Sequence, residues 1–340
     1  CYQRLLAHLL SREQGIYTLR IDFRGCGASP DGPNLETEGR LLKYDLEDIQ
    51  NCAEFLVSGS NPLGIKFSLS AVIGHSRGSL AMMLWALEQT RMLHNPETRS
   101  KAIIVPSLVN CSSRYRLTTV FDRYPPILDD FPGVHQTCLR HGKMEKVWVP
   151  IKELLLLGTP DMDVMSELAV ETLVLSIYGL NDHIVPVEDL AYFANALNRG
   201  HQLHKLIFIK DADHNFYGTN EIITEEDVKE HNQDGHPVKN GYVNFNPLVT
   251  RHIVEYLSPV KEFERFLSTS ESIGHVKRWK QVEGILNFRD VGGWNITQIP
   301  RGLKLSDDKH NEFSQSDVYV RPGIIFRCAN TVRVTDSGVQ

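Results

Sequence analysis

A serine at position 76 occupies a setting that favours nucleophilic chemistry. It lies in the stretch A-V-I-G-H-S-R-G-S-L-A-M-M-L, where an apolar run meets G-x-S-x-G and passes into a helix-like segment. The pattern alone arises by chance about once in nine chains of this length, so its surroundings decide its meaning. Small residues at Gly74 and Gly78 allow a sharp, strained turn that exposes the hydroxyl. The sequence therefore predicts a nucleophile at Ser76, and it predicts that the backbone N–H of Arg77, at a helix start, binds an oxyanion.

A serine hydroxyl becomes a good nucleophile only when a base takes its proton and a third group orients the base. Asp182 follows the run T-L-V-L-S-I-Y-G (172–179), and His214 follows the run H-K-L-I-F-I-K (204–210). Both runs are predicted strands, so the two side chains lie in loops that leave strands. Serine, acid and base then follow one another in the order expected for a nucleophile on a strand-to-helix turn. The predicted catalytic set is Ser76, Asp182 and His214.

Four neighbouring residues compete for these roles. His75 adjoins the serine but belongs to the strand side of the turn, where its ring is expected to face away. His183 follows the proposed acid and is interpreted as a loop or binding residue. Asp211 and Asp213 precede the proposed base and are interpreted as solvated or turn-capping residues. The sequence favours Ser76, Asp182 and His214 over these four residues for the catalytic roles.

The elements that must hold these residues alternate along the chain. Strands are predicted at 16–23, 66–74, 101–109, 172–179 and 204–210, and helical spacing of apolar residues marks 42–56, 187–197 and 248–256, with a further helix ending at Gly15. This alternation favours an α/β fold with a doubly wound, mostly parallel sheet. The stretch from about 110 to 171 breaks the rhythm and is interpreted as an inserted helical cap.

Composition excludes several classes of protein. The chain has 340 residues, 41% of them hydrophobic, and a formal net charge of -6 from interspersed charges, so no basic face for a nucleic acid is expected. No apolar run reaches the roughly 18 residues of a membrane helix. The cysteines are scattered without a C-x-x-C pair, which predicts reduced, buried thiols in a cytoplasmic protein. No motif predicts a cofactor or a metal.

Four segments together resemble the α/β-hydrolase superfamily, particularly its esterase and serine-aminopeptidase-like members. They are R-I-D-F-R-G-C-G-A-S, G-H-S-R-G, G-L-N-D-H-I-V-P and D-H-N-F, and the resemblance covers residues 1–267. It implies a triad of Ser76, Asp182 and His214 that cleaves a small-molecule acyl substrate through an acyl-enzyme. A second oxyanion donor would come from a loop before the first helix. Because the chain begins within that helix, without an initiator Met, we interpret it as an N-terminally truncated fragment with Arg77 N–H as the assignable donor.

A second resemblance begins beyond a predicted linker at 268–279. The segments N-F-R-D-V-G-G and R-P-G-I-I-F-R resemble the start of the fungal and bacterial tyrosine phosphatases that act on phosphoproteins and phosphoinositides. This implies a partial phosphatase-like α/β domain at 280–340. Such enzymes need C-x5-R, but Cys328 and Arg333 are one residue too close, so no phosphatase residues are assigned. The alternative hypothesis is phosphatase activity in a longer protein, with the hydrolase-like part as scaffold or regulator; a third is a binding module without turnover.

Overall fold

The structure is a computed structural model that describes part of the chain. The described residues are 2–32, 39–103, 105–120, 133–153, 162–169, 172–198, 204–218, 238–239, 242–258, 289–290 and 326–327. The chain divides into two compact units, Cys1–Ile253 and Val254–Gln340. The predicted boundaries at 267 and 279 fall outside the described residues and stay predictions.

Strands and helices alternate along the described part of the chain. The strands are β1 (Ala71–His75), β2 (Ser107–Cys111), β3 (Gly133–Arg140), β4 (Lys143–Pro150), β5 (Leu173–Gly179), β6 (Lys205–Ile209), β7 (Val238–Lys239), β8 (Tyr242–Val243), β9 (Arg289–Asp290) and β10 (Phe326–Arg327). The α-helices are α1 (Gln3–Gln14), α2 (Leu42–Ser58), α3 (Arg77–His94), α4 (Asp189–Leu197) and α5 (Asn246–Tyr256), and the 3-10 helices span Arg99–Lys101, Leu117–Thr119 and Met162–Glu167.

A parallel sheet lies at the centre of the unit Cys1–Ile253. Within the described residues its strand order is β1-β2-β5-β6, with Ala71 opposite Ser107, Ser107 opposite Leu173 and Leu175 opposite Lys205. Every residue of β2 is buried, as are the last six of β5, which is typical of strands covered on both faces. The apolar runs that predicted these strands are therefore core strands, and their carboxyl ends share one edge of the sheet.

The core forms where α2, α3 and α4 bury apolar faces on this sheet. Trp85 and Met83 of α3, Ile49 of α2 and Phe193 of α4 belong to one cluster with Leu108 of β2. Burial of such side chains contributes roughly 1.5–3 kcal/mol each. The predicted helices at 42–56, 187–197 and 248–256 are confirmed, as is the helix that ends before Gly15. The spacing of apolar residues was a sufficient signal for each of them.

The predicted strands at 172–179 and 204–210 are confirmed, whereas two others begin later than predicted. The run 66–74 forms a strand only from Ala71, and the run 101–109 only from Ser107. Pro106 directly precedes the second strand, and because proline has no N–H it is confined to strand starts and edges. The sheet is thus the predicted one with shorter strands.

The predicted strand at 16–23 is wrong. None of its residues pairs with another strand among the described residues, and Tyr17, Leu19 and Ile21 are exposed. Alternating aromatic and aliphatic residues favour a strand, but a strand exists only where its N–H and C=O groups find a partner strand. Here β1 is the edge of the sheet in the described part of the chain.

The described part of the predicted helical cap contains short 3-10 helices at Leu117–Thr119 and Met162–Glu167, but its longest element is a β-hairpin. Between 110 and 171 the chain forms an antiparallel hairpin, in which β3 pairs with β4 along their whole lengths. His141 and Gly142 join the strands with φ of 48° and 79°, which fits a two-residue type I′ turn. The alternation of polar and apolar residues in V-H-Q-T-C-L-R and the His-Gly turn were the signals for this hairpin. Residues 121–132 and 154–161 lie outside the described residues.

Two further expectations concern cysteines and the carboxyl-terminal segment. Cys111 is buried, but Cys26, Cys52 and Cys138 are only partly so, and the prediction of buried thiols is wrong for these three. The phosphatase-like segment at 280–340 lies outside the described residues, apart from β9 and β10, which pair antiparallel. None of the helices in the described ranges has the length and apolar character that a bilayer crossing demands.

Candidate active site

Ser76 lies on a strained turn between β1 and α3. Its φ of 53° and ψ of -124° are unusual for a residue with a side chain. Two backbone bonds fix the turn: Ser76 N–H donates to Cys111 O at 2.8 Å, and Ser79 N–H donates to Ser76 O at 2.9 Å. The predicted strand-to-helix turn at this serine is therefore present.

The two glycines of G-H-S-R-G have different importance. A Cβ on Gly74 would lie 2.4 Å from Ser79 Cα, so the strand can approach the helix only without a side chain there. A Cβ on Gly78 would lie 3.6 Å from the ring of Phe23, which is an ordinary contact. The expectation that both positions must be small is correct for Gly74 and wrong for Gly78.

The structure brings Ser76, His214 and Asp182 together. His214 Nε2 lies 2.8 Å from Ser76 Oγ, and His214 Nδ1 lies 2.7 Å from Asp182 Oδ2. The side chains of His214 and Asp182 are 8% and 1% exposed. Because the carboxylate accepts the Nδ1 proton, the lone pair of Nε2 faces the serine hydroxyl. The geometry is that of a base oriented by an acid and directed at a hydroxyl.

Backbone donors hold the carboxylate of Asp182. Its Oδ1 accepts the N–H groups of Ile184 at 2.7 Å and Val185 at 2.9 Å. Burial raises the pKa of Asp182, but the hydrogen bond and charge of His214, together with these two donors, lower it further, so its pKa lies below the ordinary value. Asp182 is consequently ionised at neutral pH and fixed in one orientation.

The loops that carry the acid and the base are joined to each other. Asn181 N–H donates to Ala212 O at 2.9 Å, one residue before Asp182 and two before His214. Asp213 accepts two backbone N–H groups within its own turn, from Asn215 and Tyr217, each at 2.8 Å. The interpretation of Asp213 as a turn-capping residue is thereby confirmed. His183 and Asp211 are exposed.

His75 does not face away from the site as the sequence suggested. Its Nε2 lies 2.8 Å from the backbone O of His214, and the two rings are 5.2 Å apart. Tyr2 and Phe216 pack on the His75 ring at 6.0 Å and 5.7 Å. Burial, reinforced by the charge of His214, lowers the pKa of His75 to about 4, so a neutral ring donates Nε2–H to the carbonyl. His75 therefore holds the backbone of His214.

The side chain of Arg77 is held by two carboxylates. Its Nε lies 2.6 Å from Asp45 Oδ2 on α2, and its Nη2 lies 3.0 Å from Glu153 Oε1, which follows β4. Glu153 Oε1 also accepts Leu42 N–H, at the start of α2, at 2.6 Å. Burial lowers the pKa of Arg77, but the two carboxylates raise it more, so its pKa lies above the ordinary value. The ion pairs connect the start of α3 to α2 and to the end of the hairpin.

The backbone N–H of Arg77 is in the first turn of α3, where helix N–H groups have no intrahelical acceptor. No acceptor for it lies among the described residues, so this group is available to a ligand. The sequence predicted a role for this N–H but not for the side chain of Arg77. The sequence did contain a signal for the ion pair, because Asp45 is a charged residue on the apolar, buried face of a predicted helix and such a charge needs a partner.

Within the part of the chain that the structure describes, no three His, Cys, Asp or Glu side chains gather in a way that could hold a metal ion. The side chains that pair at the site are the hydroxyl, the imidazole and the carboxylate of Ser76, His214 and Asp182, which are groups that can transfer a proton.

Comparison with solved structures identifies the fold. Est1E from Butyrivibrio proteoclasticus, solved with ferulic acid bound, superimposes with a TM-score of 0.50 and 18% identity over 75% of this chain and 81% of its own. A monoacylglycerol lipase from Paleococcus ferrophilus gives a TM-score of 0.39 and 19% identity over 69% of this chain and 80% of its own. The likeness to Est1E supports the predicted α/β fold with a mostly parallel sheet, which is consistent with an α/β-hydrolase fold.

Comparison with protein sequences identifies the family. The uncharacterized protein YDL057W of Saccharomyces cerevisiae is 34% identical over 266 residues, which cover 75% of this chain and 74% of the yeast protein. The chain therefore belongs to the same family as YDL057W. No protein-family model matches the chain. None of these likenesses supports the predicted phosphatase-like domain at 280–340.

Proposed function

We propose that this protein is a serine hydrolase that cleaves an ester or a similar acyl bond of a small molecule. One observation carries the proposal: the continuous hydrogen-bonded chain from Ser76 Oγ through His214 to Asp182, at a strained turn. Backbone strain at a serine has an energetic cost, and the imidazole nitrogen 2.8 Å from its hydroxyl offers a chemical reason for retaining that strain. The fold adds support, since the similar structure of Est1E holds ferulic acid, and a carboxylic acid is what ester cleavage releases.

The reaction would take place in two acyl-transfer steps. Ser76 Oγ attacks the carbonyl carbon while His214 Nε2 takes the hydroxyl proton, and Asp182 stabilises the imidazolium that forms. The carbonyl oxygen becomes an anion, which the free N–H of Arg77 stabilises at the helix start. His214 then gives its proton to the leaving alcohol. A water molecule, deprotonated by His214, attacks the acyl-enzyme and releases the acid and the free serine.

The ion pairs of Arg77 have a role in this scheme. Two carboxylates, Asp45 and Glu153, hold the guanidinium. They fix the residue whose N–H is the oxyanion donor, which must be pre-oriented to be effective. The charge of Arg77 is neutralised by its partners, so the acyl group would meet backbone dipoles instead of a free cation.

The test is hydrolysis of a series of p-nitrophenyl esters of increasing acyl length. Ser76→Ala is expected to lose turnover by at least 10³-fold. Ser112→Ala is the matched control, because Ser112 also has a positive φ, follows β2 at the same edge of the sheet, and has a buried hydroxyl with no partner among the described residues. Its activity is expected to stay near that of the unchanged protein.

Two outcomes would overturn the proposal. Equal loss in both variants would show that the serines act through stability, and turnover retained by Ser76→Ala would place the nucleophile elsewhere. A folded protein that cleaves none of the esters would favour a binding module that keeps the fold without turnover.

A further inference from the structure

Two cysteines from distant parts of the chain meet beside the hairpin. Cys26 lies in the loop R-G-C-G, and Cys138 lies on β3. The backbones are joined here by two hydrogen bonds: Gly27 N–H donates to Leu139 O at 2.8 Å, and His141 N–H donates to Gly27 O at 2.6 Å. These bonds form a parallel bridge between Gly27 of the loop and Arg140 of the hairpin, so that Cys26 precedes one paired residue by one position and Cys138 precedes the other by two.

The bridge brings the two thiols near each other. Cys138 is among the groups that raise the pKa of the Cys26 thiol, and both residues are partly exposed. An ion pair between Arg140 and Asp31, at 2.5 Å, holds the same loop on the same strand. Solvent can therefore reach a pair of thiols that the backbone already keeps together.

We propose that Cys26 and Cys138 are a thiol–disulfide pair, oxidised by a low-molecular-weight disulfide such as oxidised glutathione. One cysteine thiolate attacks the glutathione disulfide and releases one glutathione thiol, and the second cysteine attacks the mixed disulfide and releases another. Two protein S–H bonds and one glutathione S–S bond are lost, and one protein S–S bond and two glutathione S–H bonds are formed. The two electrons reduce the glutathione disulfide.

The charge surroundings of Cys26 favour the oxidised form once it is made. Burial raises the pKa of Cys26. The charge of Arg40 lowers this pKa in part, and Cys138 raises it further. A thiol with a raised pKa gains little from ionisation, so the reduced form is not stabilised as a thiolate. The same property slows the attack, so oxidation is expected to be faster above neutral pH.

The cross-link would fix the hairpin relative to the R-G-C-G loop. Gly27 already pairs with β3, and Arg40 N–H donates to Trp148 O on β4 at 3.1 Å. The hairpin continues directly into Glu153, one of the two carboxylates that hold Arg77. A disulfide at this position would restrain the segment that supplies the anchor of the serine turn. The inference does not depend on the hydrolase reaction.

The experiment is an equilibration of the whole chain in glutathione buffers of decreasing reducing power, followed by alkylation, trypsin cleavage and mass spectrometry. Trypsin separates the relevant cysteines into peptides 25–40, 124–140 and 44–66. Cross-linked 25–40 and 124–140 are expected, with 44–66 still alkylated. Cys52→Ser is the matched control, since Cys52 is another partly exposed cysteine, and it should leave the cross-link intact, whereas Cys26→Ser and Cys138→Ser should abolish it.

Thermal unfolding gives a second measurement. Because the disulfide closes a loop of about 110 residues, oxidation should raise Tm by on the order of 5–10 °C, and the rise should be absent in Cys138→Ser. Single glutathione adducts without the cross-link, in buffers that fully oxidise a reference dithiol, would overturn the proposal. So would a cross-link to Cys52, or a cross-link that leaves Tm unchanged in every variant.

Discussion

Replacing Gly74 or Gly78 by alanine tests whether the geometry of the serine turn is required. The two changes add the same methyl group to the same motif, two residues on either side of Ser76. In Gly74→Ala the new Cβ would meet Ser79 Cα at 2.4 Å. An ordinary contact begins at about 3.4 Å, so backbone atoms must separate by roughly 1 Å.

The magnitude follows from that displacement. Forcing an extra carbon into a packed site costs typically 1–3 kcal/mol, and a misplacement of about 1 Å at a reacting atom costs about 10²-fold in rate. In Gly78→Ala the new Cβ meets Phe23 at 3.6 Å, and alanine is better than glycine inside a helix by roughly 1 kcal/mol. Gly78→Ala is therefore expected to stay active and to be as stable as the unchanged protein or more so.

The assay compares ester turnover per folded molecule with the free energy of unfolding in urea for both variants. Gly74→Ala should lose both activity and stability, and Gly78→Ala should keep both. Equal activity of the two variants would refute the argument that the close approach at Gly74 positions the serine. Loss of activity in Gly78→Ala alone would mean that the small residue is required at the substrate side.

Three further changes probe the groups around the turn. Asp182→Asn should lower turnover by on the order of 10³–10⁴-fold with little change in unfolding, because an amide no longer fixes the imidazole tautomer; steady-state kinetics check this. The pKa of His75 is lowered from 6.5 to about 4, so the unfolded chain binds the proton first, and the free energy of unfolding should fall by up to about 3 kcal/mol as pH drops from 6.5 to 4. His75→Gln should lose less over that range in urea titrations at several pH values, and an identical loss would contradict the assignment. Glu153→Gln should destabilise the protein by roughly 1–3 kcal/mol because the Glu153 carboxylate is buried against the charge of Arg77, whereas the exposed control Glu167→Gln should stay within roughly 0.5 kcal/mol in the same titrations.

The sequence predicted the site because its members follow core strands. Ser76, Asp182 and His214 each lie in the turn or loop that follows a strand of apolar residues, and the carboxyl ends of parallel strands share one edge of the sheet. Local patterns thus determined which loops meet. The distances of 2.7–2.8 Å between these side chains depend on tertiary packing, and no pattern in the sequence encodes them.

The wrong or missing predictions have one physical cause: the structure at these positions depends on partners that are distant in the sequence. Residues 16–23 have strand-forming composition but no partner strand in the described part of the chain. His75 was assigned by its position on β1, but the strained backbone at Ser76 and the return of the loop at His214 decide where its ring lies. The ion pairs of Arg77 join residues 32 and 76 positions away, a separation that local periodicity does not detect.

The cap illustrates a different kind of omission. Its hairpin is a local structure, with alternating residues and a two-residue turn at His141 and Gly142. These signals were in the sequence, but the length of the stretch between two core strands favoured a helical interpretation. A turn that requires positive φ at two successive residues is a stronger local signal than the length of an insertion.

An activated nucleophile at Ser76 is central to the proposed function, and covalent labelling with a fluorophosphonate probe tests for it most directly. Trypsin yields peptide 67–77, which contains Ser68, Ser70 and Ser76, so fragment ions must locate the adduct. We expect a single adduct on Ser76, lost in Ser76→Ala and strongly slowed in Asp182→Asn. A folded protein without any adduct, or an adduct on Ser112 in peptide 102–114, would contradict it.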